Sequence, residues 1–266
     1  MAGKLFDEET ESALRDIFRG FKGKVVDRLV VETGNPRPVL EGEVEEAPIE
    51  VEEEIEEHGH AHTHIHRHGE CPTCEEAVEL ARELMRVSEG KLEFLIVQRA
   101  EAEALRPRFV PAFYYGTRKL NVRYYGLPSG QEFAPFIYAH QYIANGEIKL
   151  GKRVVEKVDA IDVPLHIKIF VTPECPYCPI VVDYFNQMAM VNDELLVETI
   201  EAVELPLEAD LYHIESVPFV VINRMEDYSK YGAKPLSFIP GYVLPEQAAE
   251  ILERAARKAK KQGGTG

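Results

Sequence analysis

Four cysteines are the residues of this chain whose type and spacing could do chemistry, because they form two Cys-x-x-Cys pairs. The first pair is Cys71 and Cys74, the second is Cys175 and Cys178, and the chain has no further cysteine. When such a pair precedes a helix, the helix N-terminus favours the thiolate of the first cysteine, which attacks a disulfide. The second cysteine then resolves the mixed disulfide. The spacing therefore predicts a catalytic role for all four cysteines in thiol–disulfide exchange.

The same landmarks follow both pairs. A helical run at residues 75–87 and an apolar strand at residues 92–97 lie behind Cys74, and residues 180–190 and 195–200 repeat this order behind Cys178. A Val-Pro dipeptide closes each repeat. If these bonds are cis, the valine backbone lies beside the sulfurs and can pair with an extended substrate chain. The expected substrate-binding residues are Val217, Pro218, Val110, Pro111, Pro176 and Tyr177.

Two other interpretations of the cysteines are less favoured. Four thiolates could hold one zinc ion, but the pairs lie about a hundred residues apart, each inside its own repeat. A purely structural bridge within a CxxC adds little stability, because it closes a very small loop.

The hydrophobic pattern predicts the elements that position the cysteines. Helical spacing indicates a first helix over residues 6–21 with Asp7 as its N-cap, and residues 25–33 read as a strand. Each half then gives a mixed sheet with helices on both faces, and we expect the units to be residues 1–146 and 147–266. The remaining predicted elements are residues 112–115, 122–125, 131–144, 151–159, 165–171, 219–222, 236–239 and 246–258.

One segment, residues 35–70, departs from this pattern. Ten glutamates and no lysine or arginine occupy residues 41–57, and histidines follow at alternate positions. Because like charges repel, we interpret the segment as an unstructured insertion. A strand at residues 61–67 is the less favoured alternative, because a central strand would bury a row of imidazoles.

The histidines of this segment are candidate metal ligands. Neutral imidazole binds zinc, nickel or copper, and Cys71 and Cys74 follow closely. A zinc or nickel site would make the chain a metal-binding or metal-handling protein, which is the alternative function class. The competing interpretation is a polar insertion with only adventitious affinity for metal. The histidines are His58, His60, His62, His64, His66 and His68.

Charge and hydropathy limit the partners and the setting. The net charge is −16, which argues against nucleic acid or an anionic membrane as a partner. No apolar run approaches the ~20 residues that span a bilayer, and residues 1–15 contain no apolar signal-peptide core. We therefore expect a cytoplasmic protein, in a compartment where cysteines are more often redox-active or metal-bound than structural.

Several segments resemble those of a known family. Residues 170–179 (FVTPECPYCP), residues 122–133 (VRYYGLPSGQEF), residues 203–206 (VELP) and the Val217-Pro218 dipeptide carry the resemblance. They are similar to the two-unit protein disulfide oxidoreductases of hyperthermophiles, which are glutaredoxin-like proteins with tandem thioredoxin folds. The resemblance covers residues 5–33 weakly and residues 71–256 well.

The resemblance implies an α/β fold class, with two tandem thioredoxin-like folds that each have a mixed central sheet flanked by helices. It implies a main site with Cys175 as nucleophile and Cys178 as resolving cysteine, and a second site with Cys71 and Cys74 in these roles. The implied function is a thiol–disulfide oxidoreductase that reduces, forms or isomerises protein disulfides in cell redox homeostasis. No cofactor beyond the redox-active disulfides is expected. The implied partners are protein disulfide substrates and a thioredoxin-reductase-like flavoprotein.

Two features differ from the family's pattern. Thioredoxins carry a buried acid six residues before the first cysteine, but that position is Ile169 in the second unit and falls in the insertion in the first. Glu198 and Glu201 are candidates for the missing base. The segment between Val97 and Pro111 is short, so the second helix of the first unit is expected to be reduced or absent.

Overall fold

The computed structural model describes residues 5–32 and 71–263. The predicted insertion with its histidines lies outside these residues. The helices and strands, in chain order, are α1 (Glu8–Arg19), β1 (Val25–Val31), α2 (Cys74–Val87), β2 (Leu92–Gln98), β3 (Ala112–Tyr114), β4 (Val122–Tyr125), α3 (Phe133–Asn145), α4 (Lys152–Asp159), β5 (Leu165–Val171), α5 (Cys178–Val191), β6 (Leu195–Glu201), α6 (Leu207–Leu211), β7 (Phe219–Arg224), β8 (Ser237–Pro240) and α7 (Pro245–Gly263).

The strands repeat one arrangement twice. In the first half, β1 pairs with β2 in parallel and with β3 antiparallel, and β3 pairs antiparallel with β4. In the second half, β5 pairs with β6 in parallel and with β7 antiparallel, and β7 pairs antiparallel with β8. Each half is thus a four-stranded mixed sheet. The α/β fold class with two tandem thioredoxin-like folds is confirmed.

The two sheets are joined into one, which the sequence pattern did not predict. Strand β4 pairs in parallel with β6, and this gives an eight-stranded sheet in the order β2-β1-β3-β4-β6-β5-β7-β8. Asn121, just before β4, reinforces the joint because its side-chain amide donates to the carbonyls of Ala189 (2.7 Å) and Leu195 (2.9 Å). The pairing of β4 with β6 fixes the position of one half relative to the other.

Local sequence explains the elements that carry the cysteines. All seven residues of β5 and all seven of β6 are buried, as expected for central strands covered on both faces. The predicted cap of α1 is confirmed, because the Asp7 carboxylate accepts the N–H of Thr10 at 2.8 Å. Leu14 and Phe18, one turn apart, bury one face of that helix.

The expected reduction of the first unit's second helix is confirmed. Between β2 and β3 the chain forms only two short 3₁₀ turns, Arg99–Glu101 and Glu103–Leu105, where the second half has α6. The last helix is longer than predicted and runs over Pro245–Gly263. Within residues 5–32 and 71–263, no helix is both long enough and apolar enough to cross a membrane.

Candidate active site

Both CxxC pairs form disulfides at the start of a helix. Cys71 is bonded to Cys74, where α2 begins, and Cys175 is bonded to Cys178, where α5 begins. Cys175 is 7% exposed and Cys178 is fully buried. Cys71 is half-buried and Cys74 is buried. In both pairs the first cysteine is therefore the more exposed of the two.

The C-terminal pair lies beside an exposed aromatic surface. The N–H of Cys178 donates to Cys175 Sγ at 3.2 Å, so this sulfur lies at the N-terminus of α5. Tyr177 is 57% exposed, and its ring stacks on Tyr242 with centroids 6.1 Å apart. A helix end that donates to the sulfur stabilises negative charge there.

Both Val-Pro bonds that the sequence singled out are cis. They are Val110-Pro111 and Val217-Pro218. The N–H of Gly241 donates to the carbonyl of Pro218 at 2.8 Å, which ties the loop that carries Tyr242 to this proline. The predicted substrate-binding residue Tyr177 is thus linked to Pro218 through Tyr242 and its loop.

The N-terminal pair has different neighbours. The N–H of Glu32, directly after β1, donates to Cys74 Sγ at 3.2 Å. Between the cysteines, the Thr73 hydroxyl donates to the carboxylate of Glu204, which comes from the second half of the chain. The two sites therefore differ in the groups that surround them, although their chain order is the same.

In both halves an apolar residue stands where thioredoxins carry their buried acid. Ile169 is the fifth residue of β5, and the fifth residue of β1 is Leu29. The expectation that the first unit's position falls in the insertion is therefore wrong, because β1 itself supplies it. Both side chains are fully buried. Neither offers a proton acceptor to its cysteines.

The two acids named as candidates for the missing base are occupied elsewhere. Burial acts to raise the pKa of Glu198, but His166, Arg123 and Arg108 hold it well below the usual glutamate range. The carboxylate of Glu201 accepts the N–H groups of Val203 and Glu204, and burial raises the pKa of Glu201. Glu198 belongs to an ion-pair network rather than to a redox site.

A third acid, Glu132, was not singled out from the sequence. It is fully buried, neither carboxyl oxygen has a hydrogen-bond partner among the described residues, and burial raises its pKa to about 8. It ends the 3₁₀ turn Gly130–Glu132, which packs against α5. The adjacent Gln131 N–H donates to the carbonyl of Pro173 at 2.8 Å, two residues before Cys175. The structure thus places the turn that carries Glu132 against the helix and the loop of the C-terminal site.

The described residues contain no metal centre. Within residues 5–32 and 71–263, no three His, Cys, Asp or Glu side chains are grouped so that they could hold a metal ion. The two pairs are disulfides in this state, which does not match a Cys₄ zinc site. The predicted ligands His58, His60, His62, His64, His66 and His68 lie outside the described residues.

Comparison with protein sequences places a thioredoxin domain in the second half. The family model of the thioredoxin domain matches residues 165–236. An NADH dehydrogenase of Bacillus subtilis is 25% identical over 157 residues, which is 58% of this chain and 29% of the relative. The F component of the alkyl hydroperoxide reductase of Pseudomonas aeruginosa is 28% identical over 104 residues, which is 39% of this chain and 20% of the relative. The matches thus span less than a third of these relatives' own length.

Solved structures match both halves together. A protein disulfide oxidoreductase from Aeropyrum pernix has a TM-score of 0.71 at 19% identity, over 95% of this chain and 94% of that chain. The NTD_N/C domain of alkylhydroperoxide reductase AhpF from Enterococcus faecalis has a TM-score of 0.68 at 17% identity, over 93% of this chain and 99% of that chain. The expected resemblance is confirmed: this chain is a two-unit thioredoxin-fold protein that shares the architecture of a protein disulfide oxidoreductase.

Proposed function

We propose that this protein is a thiol–disulfide oxidoreductase that acts on protein disulfides through its CxxC pairs. The observation that carries the proposal is the C-terminal pair. Its outer cysteine lies at a helix N-terminus and keeps 7% of its surface exposed, and its inner cysteine is fully buried. That arrangement separates an attacking cysteine from a resolving one.

The reaction at the C-terminal site proceeds in two exchanges. The Cys175 thiolate attacks one sulfur of a substrate disulfide, which breaks, and the other substrate sulfur leaves as a thiolate. Cys178 then loses its proton and attacks the Cys175 sulfur, which releases the substrate as a dithiol and forms the Cys175–Cys178 disulfide. The pair gives two electrons to the substrate. The substrate takes up two protons, which balance the one that Cys178 gives up and the one that Cys175 gave up on ionising.

Glu132 is the proposed proton acceptor for Cys178. Its carboxyl has no hydrogen-bond partner in the part of the chain that the structure describes, it lies in a turn packed against α5, and its pKa of about 8 is near neutrality. A group with such a pKa can both take and return a proton at neutral pH. Glu132 replaces the strand acid that Ile169 and Leu29 lack.

The proposed substrate surface is the exposed face around Tyr177. Tyr177 and Tyr242 are 57% and 41% exposed, and Ile180 beside them on α5 is 46% exposed. Apolar and aromatic groups of this kind bind an unfolded or extended peptide better than a small polar disulfide. Val217, Pro218, Val110 and Pro111 are the proposed backbone contacts, with Pro176 at the edge of the site.

Partners and setting are also proposals. The names of two relatives, an NADH dehydrogenase and a component of an alkyl hydroperoxide reductase, support a reductase of the thioredoxin-reductase-like flavoprotein class as electron donor. A cytoplasmic setting and a role in cell redox homeostasis rest on the sequence alone.

Trapping of a mixed disulfide tests the proposed function. In a C178S variant the intermediate on Cys175 cannot be resolved, so reduced protein should form a covalent adduct with a disulfide-containing protein. The matched C74S variant tests Cys71 in the same way. If C178S forms no adduct that dithiothreitol reverses, the proposed attack by Cys175 is wrong.

A further inference from the structure

The N-terminal CxxC loop is held by one carboxylate from the other half of the chain. Thr73 stands between the two cysteines, and its hydroxyl donates to Glu204 Oε1. The second oxygen of Glu204 accepts the N–H of Leu127 at 2.9 Å. Glu204 follows β6, so a residue far along the chain completes the surroundings of the first redox pair.

Thr73 does not play the local role that its position would suggest. It is the N-cap of α2, where a threonine oxygen ordinarily accepts an N–H of the first turn. Here its side chain makes no such bond, and the hydroxyl donates to Glu204 instead. The carboxylate is thereby held at the positive end of α2. That helix end is also the group that would stabilise a thiolate on Cys71.

The surrounding backbone is arranged to present this carboxylate. The carboxylate of Glu201 accepts the N–H of Glu204 at 2.7 Å, which fixes the turn after β6. Gly126 has a φ of +93°, and a Cβ there would lie 3.0 Å from Glu204 Oε2. In the C-terminal pair, Tyr177 occupies the place of Thr73 and stacks on Tyr242 at the surface. The two sites therefore differ in the carboxylate that Thr73 binds, besides Glu75 and Glu76 in the first turn of α2 and Glu174 next to Cys175.

We propose that Glu204 is a positioning residue of the first half's redox site, which disfavours the Cys71 thiolate and makes the Cys71–Cys74 pair more strongly reducing than it would be without this charge. A like charge beside a titrating group disfavours its anion. A less stable thiolate makes the reduced form less stable and so lowers the potential of the disulfide. The inference rests on the proposed function for its meaning, but its test measures the cysteines directly.

The test uses the full chain with C175S and C178S substitutions, so that only the first pair reacts. E204Q removes the charge but keeps an oxygen that can accept one hydrogen bond. The midpoint of the pH profile of Cys71 alkylation by iodoacetamide should fall by about one unit. The equilibrium with glutathione should move about tenfold toward the dithiol, which corresponds to about 30 mV. In that equilibrium two glutathione thiols become one disulfide, and the pair gains two electrons and two protons.

Two controls separate charge from structure. E204D keeps the charge and should stay near the parent protein in both readouts. E156Q removes an exposed charge on α4, where Glu156 pairs only with Lys152 among the described contacts, and should change neither readout. If E204Q leaves both the alkylation midpoint and the glutathione equilibrium unchanged, the proposal is overturned, whatever happens to stability. If the proposed function is wrong, the protein without substitutions would instead exchange no disulfides.

Discussion

Glu132 is a buried carboxyl whose two oxygens lack hydrogen-bond partners within residues 5–32 and 71–263. Such a group is costly to bury, and the cost is smallest when the carboxyl is protonated. Its pKa of about 8 means that it is mostly neutral at pH 7 in the disulfide state. This is the state expected after it has accepted the proton of Cys178.

The pKa of Glu132 predicts a pH dependence of stability. The pKa is raised from 4.5 to about 8 on folding, so its contribution is fully present below pH 4.5 and is lost as pH rises through 8. The disulfide form should therefore lose a few kcal/mol between these values from this group. In E132Q that part of the loss should be absent. Urea unfolding at several pH values measures it.

The same variant tests the role of Glu132 in proton transfer. Without the acceptor, resolution by Cys178 should slow by roughly a hundredfold, and the mixed disulfide on Cys175 should accumulate. Stopped-flow exchange with a disulfide protein, followed by acid quench, would detect the adduct. Unaltered resolution kinetics in E132Q would remove Glu132 from the mechanism.

Sequence reasoning missed Glu132 for a physical reason. A glutamate at the beginning of a helix usually faces water and favours the helix dipole. Its burial follows only from packing of the Gly130–Glu132 turn against α5, and that contact joins distant parts of the chain. By contrast, the cysteines can be recognised from their spacing alone.

At the scale of elements, the turn after β4 brings the two halves into contact. Gly126 begins this turn at a φ of +93°, and a Cβ there would lie 2.8 Å from the Cβ of Glu201. Both the backbone angle and the contact therefore require glycine. The turn also supplies the Leu127 N–H that binds Glu204.

Replacing this glycine should destabilise the protein by more than the backbone strain alone. G126A is expected to lower the free energy of unfolding by about 2–3 kcal/mol, because the strain and the overlap with Glu201 add. G146A is the matched control, since Gly146 has a φ of +62° but no atom within 4 Å of an added Cβ. Its cost should be about 1–2 kcal/mol. Equal costs for both variants in urea unfolding would show that the contact with Glu201 is unimportant.

Most elements could be predicted because their signals are local. Strand β5 was predicted at its observed bounds, since five of its seven residues are apolar. The parallel pairing of β4 with β6 could not be predicted, because β4 has only four residues and nothing in its sequence specifies a partner strand. The unit boundary at residues 146 and 147 and the histidine metal site stay predictions.

At the scale of the whole molecule, Arg108 connects the halves through buried charge. Its guanidinium lies 2.6 Å from Glu208 and 3.7 Å from Glu198, and it also donates to the carbonyl of Tyr228. Glu208 further pairs with the buried Lys168. Removing one cation from such a network leaves its buried carboxylates only partly compensated.

R108M should therefore destabilise the protein strongly. We expect a loss of about 3–5 kcal/mol, because Glu198 and Glu208 lose their shared cation. R15M is the control: Arg15 pairs with Glu11 and Glu89 near the surface, and its loss should cost less than about 1 kcal/mol. Denaturant unfolding of both variants gives the comparison. Similar losses would contradict the view that the network joins the halves.

Reduction of insulin disulfides with dithiothreitol as electron source tests the assignment of the main redox site most directly. The parent protein should accelerate precipitation of the reduced insulin chains. C175S should lose most of this activity, at least about tenfold by the loss of the nucleophile, whereas C71S should retain the larger share. A C175S variant as active as the parent would contradict the central claim that the C-terminal pair is the main redox site.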